Sequence, residues 1–146
     1  MLYKIGIKYS DDYPFERTPP IFGTPGSACF DVASIEHVVV FPGQSATVRT
    51  GLHFVLPRST CLKMYSRSGQ GKKNVRMSNC VGIFDSDYTG EAHVMITNDG
   101  VEPYVISPGD RIAQAMLVET HPIYWEELHE LPATTRGSNG FGSTGV

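Results

Sequence analysis

Fifteen glycines and ten prolines interrupt this chain throughout its 146 residues, leaving short apolar runs between turn signals. The runs are rich in β-branched residues and alternate in polarity: 3–9, 38–41, 46–56, 92–97, 101–106 and 112–118. Pro42-Gly43, Pro57-Arg58-Ser59, Asn98-Asp99-Gly100 and Ser107-Pro108-Gly109-Asp110 separate them, and Asn98-Asp99-Gly100 is the strongest hairpin signal among them. Many short strands with this punctuation predict an all-β barrel or sandwich. A helix is expected at 69–77, after Ser68, or over 125–131 before Pro132. From Thr134 onward small polar residues and glycine dominate, and composition there reads as a flexible tail.

A chain of this length fits one domain with one core. A hydrophobic share of 40%, a charged share of 18% and a net charge of −3 describe a globular protein without a basic field, so nucleic acid is not an expected partner. Any anion must be held locally by placed arginines and backbone amides. Cys29, Cys61 and Cys80 show no paired spacing, which argues against a disulfide framework or a thiolate zinc site and for buried thiols in a reducing compartment. The first residues alternate and lack an apolar signal core, and no run approaches the roughly 18 apolar residues of a membrane helix. A cytoplasmic location without membrane contact is expected, or a nuclear or host-cytoplasmic one for a eukaryotic or viral source.

Four segments carry chemistry. In Val81-Gly82-Ile83-Phe84-Asp85-Ser86-Asp87-Tyr88-Thr89-Gly90-Glu91, a tight turn offers backbone donors and acceptors to a flat ring, with an acid and a tyrosine beside it. Asp85 and Asp87 are two apart, so a regular strand would place both on one face, and a solvated turn role remains open for each. Arg67-Ser68-Gly69 joins a cation, a hydroxyl and free amides ahead of the expected helix, the makings of an anion site. Gly109-Asp110-Arg111-Ile112-Ala113-Gln114 feeds Arg111 into an apolar strand, where a structural ion pair is the favoured reading. In the tail, Arg136 and the run Gly140-Phe141-Gly142-Ser143-Thr144-Gly145 carry more chemistry than a linker needs.

Taken in order with Ser27-Ala28-Cys29-Phe30-Asp31-Val32, these segments resemble the motifs of the trimeric dUTPases, from about residue 25 to the end. The resemblance implies a distorted jelly-roll-like β-barrel over 1–133 with one short helix, and an extended C-terminal arm over 134–146 that closes over an active site of the trimer. It implies hydrolysis of dUTP to dUMP and pyrophosphate by water attack on the α-phosphorus, which keeps uracil out of DNA and supplies dUMP for thymidylate synthesis.

Carried onto this sequence, Asp85 is the general base and Asp31 a supporting residue. Asn79, Gly82, Ile83 and Phe84 pair with the uracil edge, Tyr88 packs on the deoxyribose, and His93 lines the pocket. Arg67, Ser68, Gly69 and Gln114 attend the phosphates, and Arg136 meets the γ-phosphate. Phe141 stacks on the base while Gly142, Ser143 and Thr144 close the phosphate side. Mg²⁺ is implied as cofactor, held by the triphosphate and not by protein ligands. The sequence departs from the family pattern at Cys29, Ser66, Gln70 and Phe84, and none of these removes a group the mechanism needs. A dCTP deaminase, which shares the fold, calls for a catalytic glutamate in the strand after the hairpin and no Tyr88 beside Asp85. A non-catalytic regulator that reuses the fold is the alternative of another class.

Overall fold

A computed structural model describes residues 2–140. Ten strands and one helical turn follow in the order β1 (Gly6–Tyr9), β2 (Phe30–Ala33), β3 (Val38–Val40), β4 (Ser45–Val55), β5 (Thr60–Tyr65), α1 (Ser68–Gly71), β6 (Val75–Met77), β7 (Val81–Asp85), β8 (Glu91–Asn98), β9 (Tyr104–Ile106) and β10 (Arg111–Glu119). They form a sheet β1-β4-β8-β6, a second sheet β2-β10-β5-β7 and a ribbon β3-β9, with every pairing antiparallel. The all-β class expected from the punctuation is what forms. Among the described residues the strands pair as these separate sheets and do not close into one continuous hydrogen-bonded barrel.

One core joins the sheets. Val48, Phe54, Val75, Met77, Val94 and Ile96 come from the first; Phe30, Val32, Leu62, Met64, Ile112 and Ala115 come from the second. The alternation read from the sequence is visible on β8, where Ala92, Val94 and Ile96 are buried while His93 and Met95 face outward. On β10 the alternation shifts. A register break between Arg111 and Ala113 against β2 buries the consecutive pair Ile112 and Ala113. Residues three apart would face opposite ways on a regular strand, and this bulge returns Arg111 and Gln114 to the same side.

Several local expectations are corrected. The helix over 69–77 is a single turn, Ser68–Gly71, because Val75 and Met77 are claimed by β6 and bury themselves against β8. Asn74, at φ +54°, makes the switch. No helix forms at 125–131: Trp125 is 90% exposed, and a segment this short has no packing face to repay nucleation. The arms of the 81–91 run do not pair with each other. β7 pairs with β5 and β8 pairs with β4 and β6, so the corner carries the chain from one sheet to the other. Asn98-Asp99-Gly100 is likewise a crossover and not a hairpin. The buried Asn98 amide donates to Val40 O and Glu102 O, both at 2.8 Å, while its oxygen accepts from Gly100 N–H at 2.9 Å. All the cysteines are unbonded, but only Cys61 is fully buried; Cys80 is exposed, with φ +59°.

Candidate active site

The outer faces of the two sheets present separate clefts. The first, about 330 Å³, lies where β7 meets the outward side of β4 and β8. It gathers Asn79, Gly82, Ile83, Phe84, Tyr88 and His93, all named from the sequence, and adds Thr47, Glu91 and Met95. The added residues were legible in part, since Thr47 and Met95 are outward positions of alternating strands paired in register. What the sequence lacked was the pairing that sets them side by side.

The backbone shapes this cleft. Gly82 lies over the core, and a Cβ there would press Met77 Cε at 3.2 Å and Met64 Cβ at 3.4 Å, so glycine allows close approach. Asp85 ends β7, and its carbonyl accepts the Tyr88 N–H at 3.1 Å, closing the turn. Tyr88 stands tilted beside Phe84 with ring centroids 6.0 Å apart. Its hydroxyl donates to the Glu91 carbonyl at 3.1 Å, and His93 Nδ1–H donates to the same oxygen at 3.0 Å. That bond leaves His93 Nε2 as the ring's open position when neutral. Asp85 and Asp87 are both exposed, and neither lines the cleft walls.

The second cleft, about 350 Å³, lies on the other sheet and gathers Asp31, Arg67, Ser68 and Gln114 with Gly23, Ser27, Ala28 and Cys29. Asp31 organises it: Arg67 Nε donates to Oδ1 at 2.8 Å and Arg111 Nη1 to Oδ2 at 3.0 Å. Arg111 therefore has the carboxylate partner expected of it, at the surface and not in the core, its side chain 60% exposed. Gln70, buried beneath the loop, locks the turn: its Oε1 accepts from Arg67 N–H at 2.9 Å and its Nε2 donates to Ile112 O at 2.8 Å. The Ile112 carbonyl sits at the β10 bulge, so the bulge and the loop stabilise each other. Gln114 donates to Ser66 O at 3.0 Å, and Ser66 Oγ accepts from Met77 N–H at 2.8 Å. Sequence reasoning set Ser66 and Gln70 aside as departures, yet they hold the Arg67-Ser68-Gly69 loop. Ser68 and Gly69 are exposed at its tip.

Both clefts sit at the low end of the roughly 300–1,000 Å³ typical of small-ligand sites, and they share no lining residue. One is lined largely by apolar and aromatic groups, with Asn79 and His93 among them; the other offers guanidinium, hydroxyl and amide donors suited to an anion. Among the described residues no group of three or more His, Cys, Asp or Glu side chains is arranged to hold a metal ion. Arg136 lies in an exposed turn, its Nε donating to Asn139 O at 2.9 Å, and meets neither cleft. Phe141, Gly142, Ser143 and Thr144 lie outside the described residues. No helix of the described residues is long and apolar enough to cross a membrane.

Known proteins resemble this chain in sequence and in fold. The dUTPase family model matches residues 17–145. A deoxyuridine 5'-triphosphate nucleotidohydrolase of Anaplasma marginale is 42% identical over 130 residues, covering 87% of this chain and 88% of that protein. The Zymomonas mobilis protein of the same name is 38% identical and covers both chains completely. Among solved structures, a Staphylococcus bacteriophage 80alpha dUTPase mutant with dUpNHpp superposes with a TM-score of 0.87 at 23% identity, over 98% of this chain and 99% of that one. A mutant dUTPase from phage phi11 of S. aureus, in which a structural Mg(II) ion is coordinated, gives 0.78 at 19% identity, over 87% and 97%. The sequence relatives and the architecture agree: this chain belongs to the dUTPase family.

Proposed function

We infer that this chain hydrolyses dUTP to dUMP and pyrophosphate, acting on the free nucleotide pool of the cytoplasm. The observation that carries the reading is the division of labour between the clefts, one fitted to a nucleoside and one to a polyphosphate, on a chain of this family. Uracil lies against the backbone of Gly82, Ile83 and Phe84 with the Asn79 amide at its edge and His93 alongside. A tight backbone over 82–84 leaves no room for a thymine methyl, and its donor–acceptor order rejects cytosine. Leaving a buried hydrogen bond unmade discriminates better than a missing methylene. Tyr88 packs on the deoxyribose and collides with a 2′-hydroxyl.

Asp85 takes a proton from the attacking water as it closes on the α-phosphorus, and pyrophosphate departs in line. Ser68 Oγ donates to the oxygen bridging the α- and β-phosphates. Arg67, oriented by Asp31, and the Gly69 amide neutralise charge, and Gln114 turns its second N–H to a phosphate oxygen. The donors of the second cleft fit a triphosphate that brings Mg²⁺ with it, the ion held by phosphate and water oxygens, as its preference for hard oxygen ligands allows. Such an ion would offset negative charge on the phosphates.

The separation of the two clefts, which share no lining residue, supports a site completed between copies. A homotrimer in which copies contribute different clefts supplies the missing walls, with 1–133 as the body and 134–146 as the arm. Phe141 of that arm stacks on uracil, Gly142, Ser143 and Thr144 cover the phosphates, and Arg136 meets the γ-phosphate. Tyr124, Trp125 and Leu131, near the end of the body and all about 90% exposed on a single chain, are consistent with a body that lies against another copy. The test is incubation with dUTP, dCTP, dTTP and UTP in the presence of Mg²⁺. Pyrophosphate from dUTP, with only slow release from UTP and none from dCTP or dTTP, is expected; ammonia from dCTP, or tight dUTP binding without turnover, overturns the reading.

A further inference from the structure

Behind the Tyr88 corner, a chain of polar contacts runs to the N-terminal part of the molecule and takes no part in the chemistry above. Strand β4 loses register with β8 between Arg49, opposite His93, and His53, opposite Glu91. The chain turns there at Gly51, φ +66°, where a Cβ would meet Tyr13 Cδ2 at 2.7 Å. The bulged backbone finds partners off the ladder: Gly51 O accepts from Ser10 N–H at 2.9 Å, and Gly51 N–H donates to the Glu91 carboxylate at 2.8 Å. That carboxylate also receives Arg49 Nε at 3.2 Å and Nη2 at 3.1 Å. Arg49 in turn grips both oxygens of Asp12, at 2.7 and 3.0 Å. His53 runs in parallel, its Nδ1–H donating to Thr89 O at 3.0 Å and its Nε2 accepting from the Ser10 hydroxyl at 3.2 Å.

Both lines end on the segment that holds Tyr88. The Glu91 carbonyl accepts the Tyr88 hydroxyl and the His93 ring N–H together. Gly90 has no side chain, and the Tyr88 ring folds back over it so closely that a Cβ would overlap the ring. The ring is 46% exposed, so its place depends on where residues 89–91 are held more than on packing. We propose that the Ser10–Asp12 turn and the Arg49–Gly51 bulge brace the Tyr88 corner, making Asp12 and Arg49 positioning residues for discrimination between deoxyribose and ribose. Ser10 and Asp12 precede residue 17, where the family match begins. The brace rests on the dUTP reading above, which supplies the sugar that Tyr88 meets.

The test compares Asp12→Asn and Arg49→Lys with Asp11→Asn, a control that makes the same charge change at an exposed neighbour. Steady-state kinetics are measured with dUTP and UTP, binding with dUMP and UMP, and stability by thermal melting. Asp12→Asn is expected to lower the dUTP-to-UTP ratio of kcat/KM about three- to fivefold, the size of one exposed ion pair. The loss should fall mainly on KM for dUTP, with a parallel loss in the dUMP-to-UMP binding ratio and little change in Tm. Arg49→Lys, which cannot present a planar fork to two carboxylates, should lose more. Asp11→Asn should match the parent. An unchanged ratio in Asp12→Asn overturns the brace while leaving the dUTP assignment standing, even if Arg49→Lys fails to fold. No hydrolysis of dUTP by the unaltered protein sinks both.

Discussion

Arg67 Nε is tethered to Asp31 Oδ1 at 2.8 Å, and the other oxygen of that carboxylate is occupied by Arg111. One acid thus aims one guanidinium at the anion cleft and shares its charge with a second. Replacing Asp31 by Asn keeps the shape and removes the tether. Surface ion pairs contribute about 0–1 kcal/mol, and this one is only partly exposed, so Tm should move by several degrees at most. Misplacing Arg67 by an ångström should nonetheless cost about tenfold or more in kcat/KM for dUTP. A melting curve and a pyrophosphate-release assay on the same preparation check this; a large fall in Tm with intact kcat/KM would contradict it.

On the proposed mechanism, Asp85→Asn removes the proton acceptor without altering size. A general base contributes about 10²–10⁴-fold, so kcat should fall by at least two orders of magnitude. A non-hydrolysable dUTP analogue should still bind. Asp87→Asn, at an exposed turn position two residues on, should retain most of the turnover. If Asp87→Asn is the silencing change, the base has been misassigned.

Removal of residues 134–146 should abolish most dUTP turnover while leaving the body folded, since the core ends with β10 at Glu119. Circular dichroism and sedimentation would then match the full chain while the activity assay collapses. Retained activity would exclude a closing role for the arm.

Glu91 gives a pH signature. Burial raises its pKa, but the Arg49 hydrogen bonds, the Gly51 N–H and the Arg49 and His93 charges outweigh this and leave it below the ordinary 4.5. A carboxylate whose pKa is lower folded than unfolded adds stability above the unfolded value and loses it as pH falls through the folded one. Denaturation midpoints should therefore drop below about pH 4.5, and Glu91→Gln should flatten that part of the profile. Asp12 is shifted the same way by its hydrogen bond to Arg49, so the double replacement should flatten it further.

Sequence reading reaches furthest where chemistry and local pattern coincide. Tyr88 and Asp85 stand beside a turn whose residues announce it, and Arg67-Ser68-Gly69 is read from residue type alone. Less legible were positions whose role depends on what crosses above them. Gln70 stands out in the sequence only as a departure from a commonly apolar family position, because the Ile112 carbonyl that it meets lies 42 residues away. Arg49 and Asp12 carried no motif, since nothing local shows that a two-sided guanidinium will bridge separate turns. The expected helix at 69–77 failed for the same reason: β8 offers Val75 and Met77 a buried edge that local propensity does not register.

The sequence by itself determined the all-β class, the turn positions, the alternation that buries Val94 and exposes His93, and the residues that resemble the family's motifs. These follow from backbone sterics and side-chain period, which act over a few residues. Only the tertiary structure sets the 81–91 run between two sheets, turns Arg111 and Gln114 to one side through the β10 bulge, and puts Tyr88 and Arg67 on separate clefts. Each depends on strand partners far apart in the chain, and pairing energy is set by the neighbour a strand meets, not by its own residues.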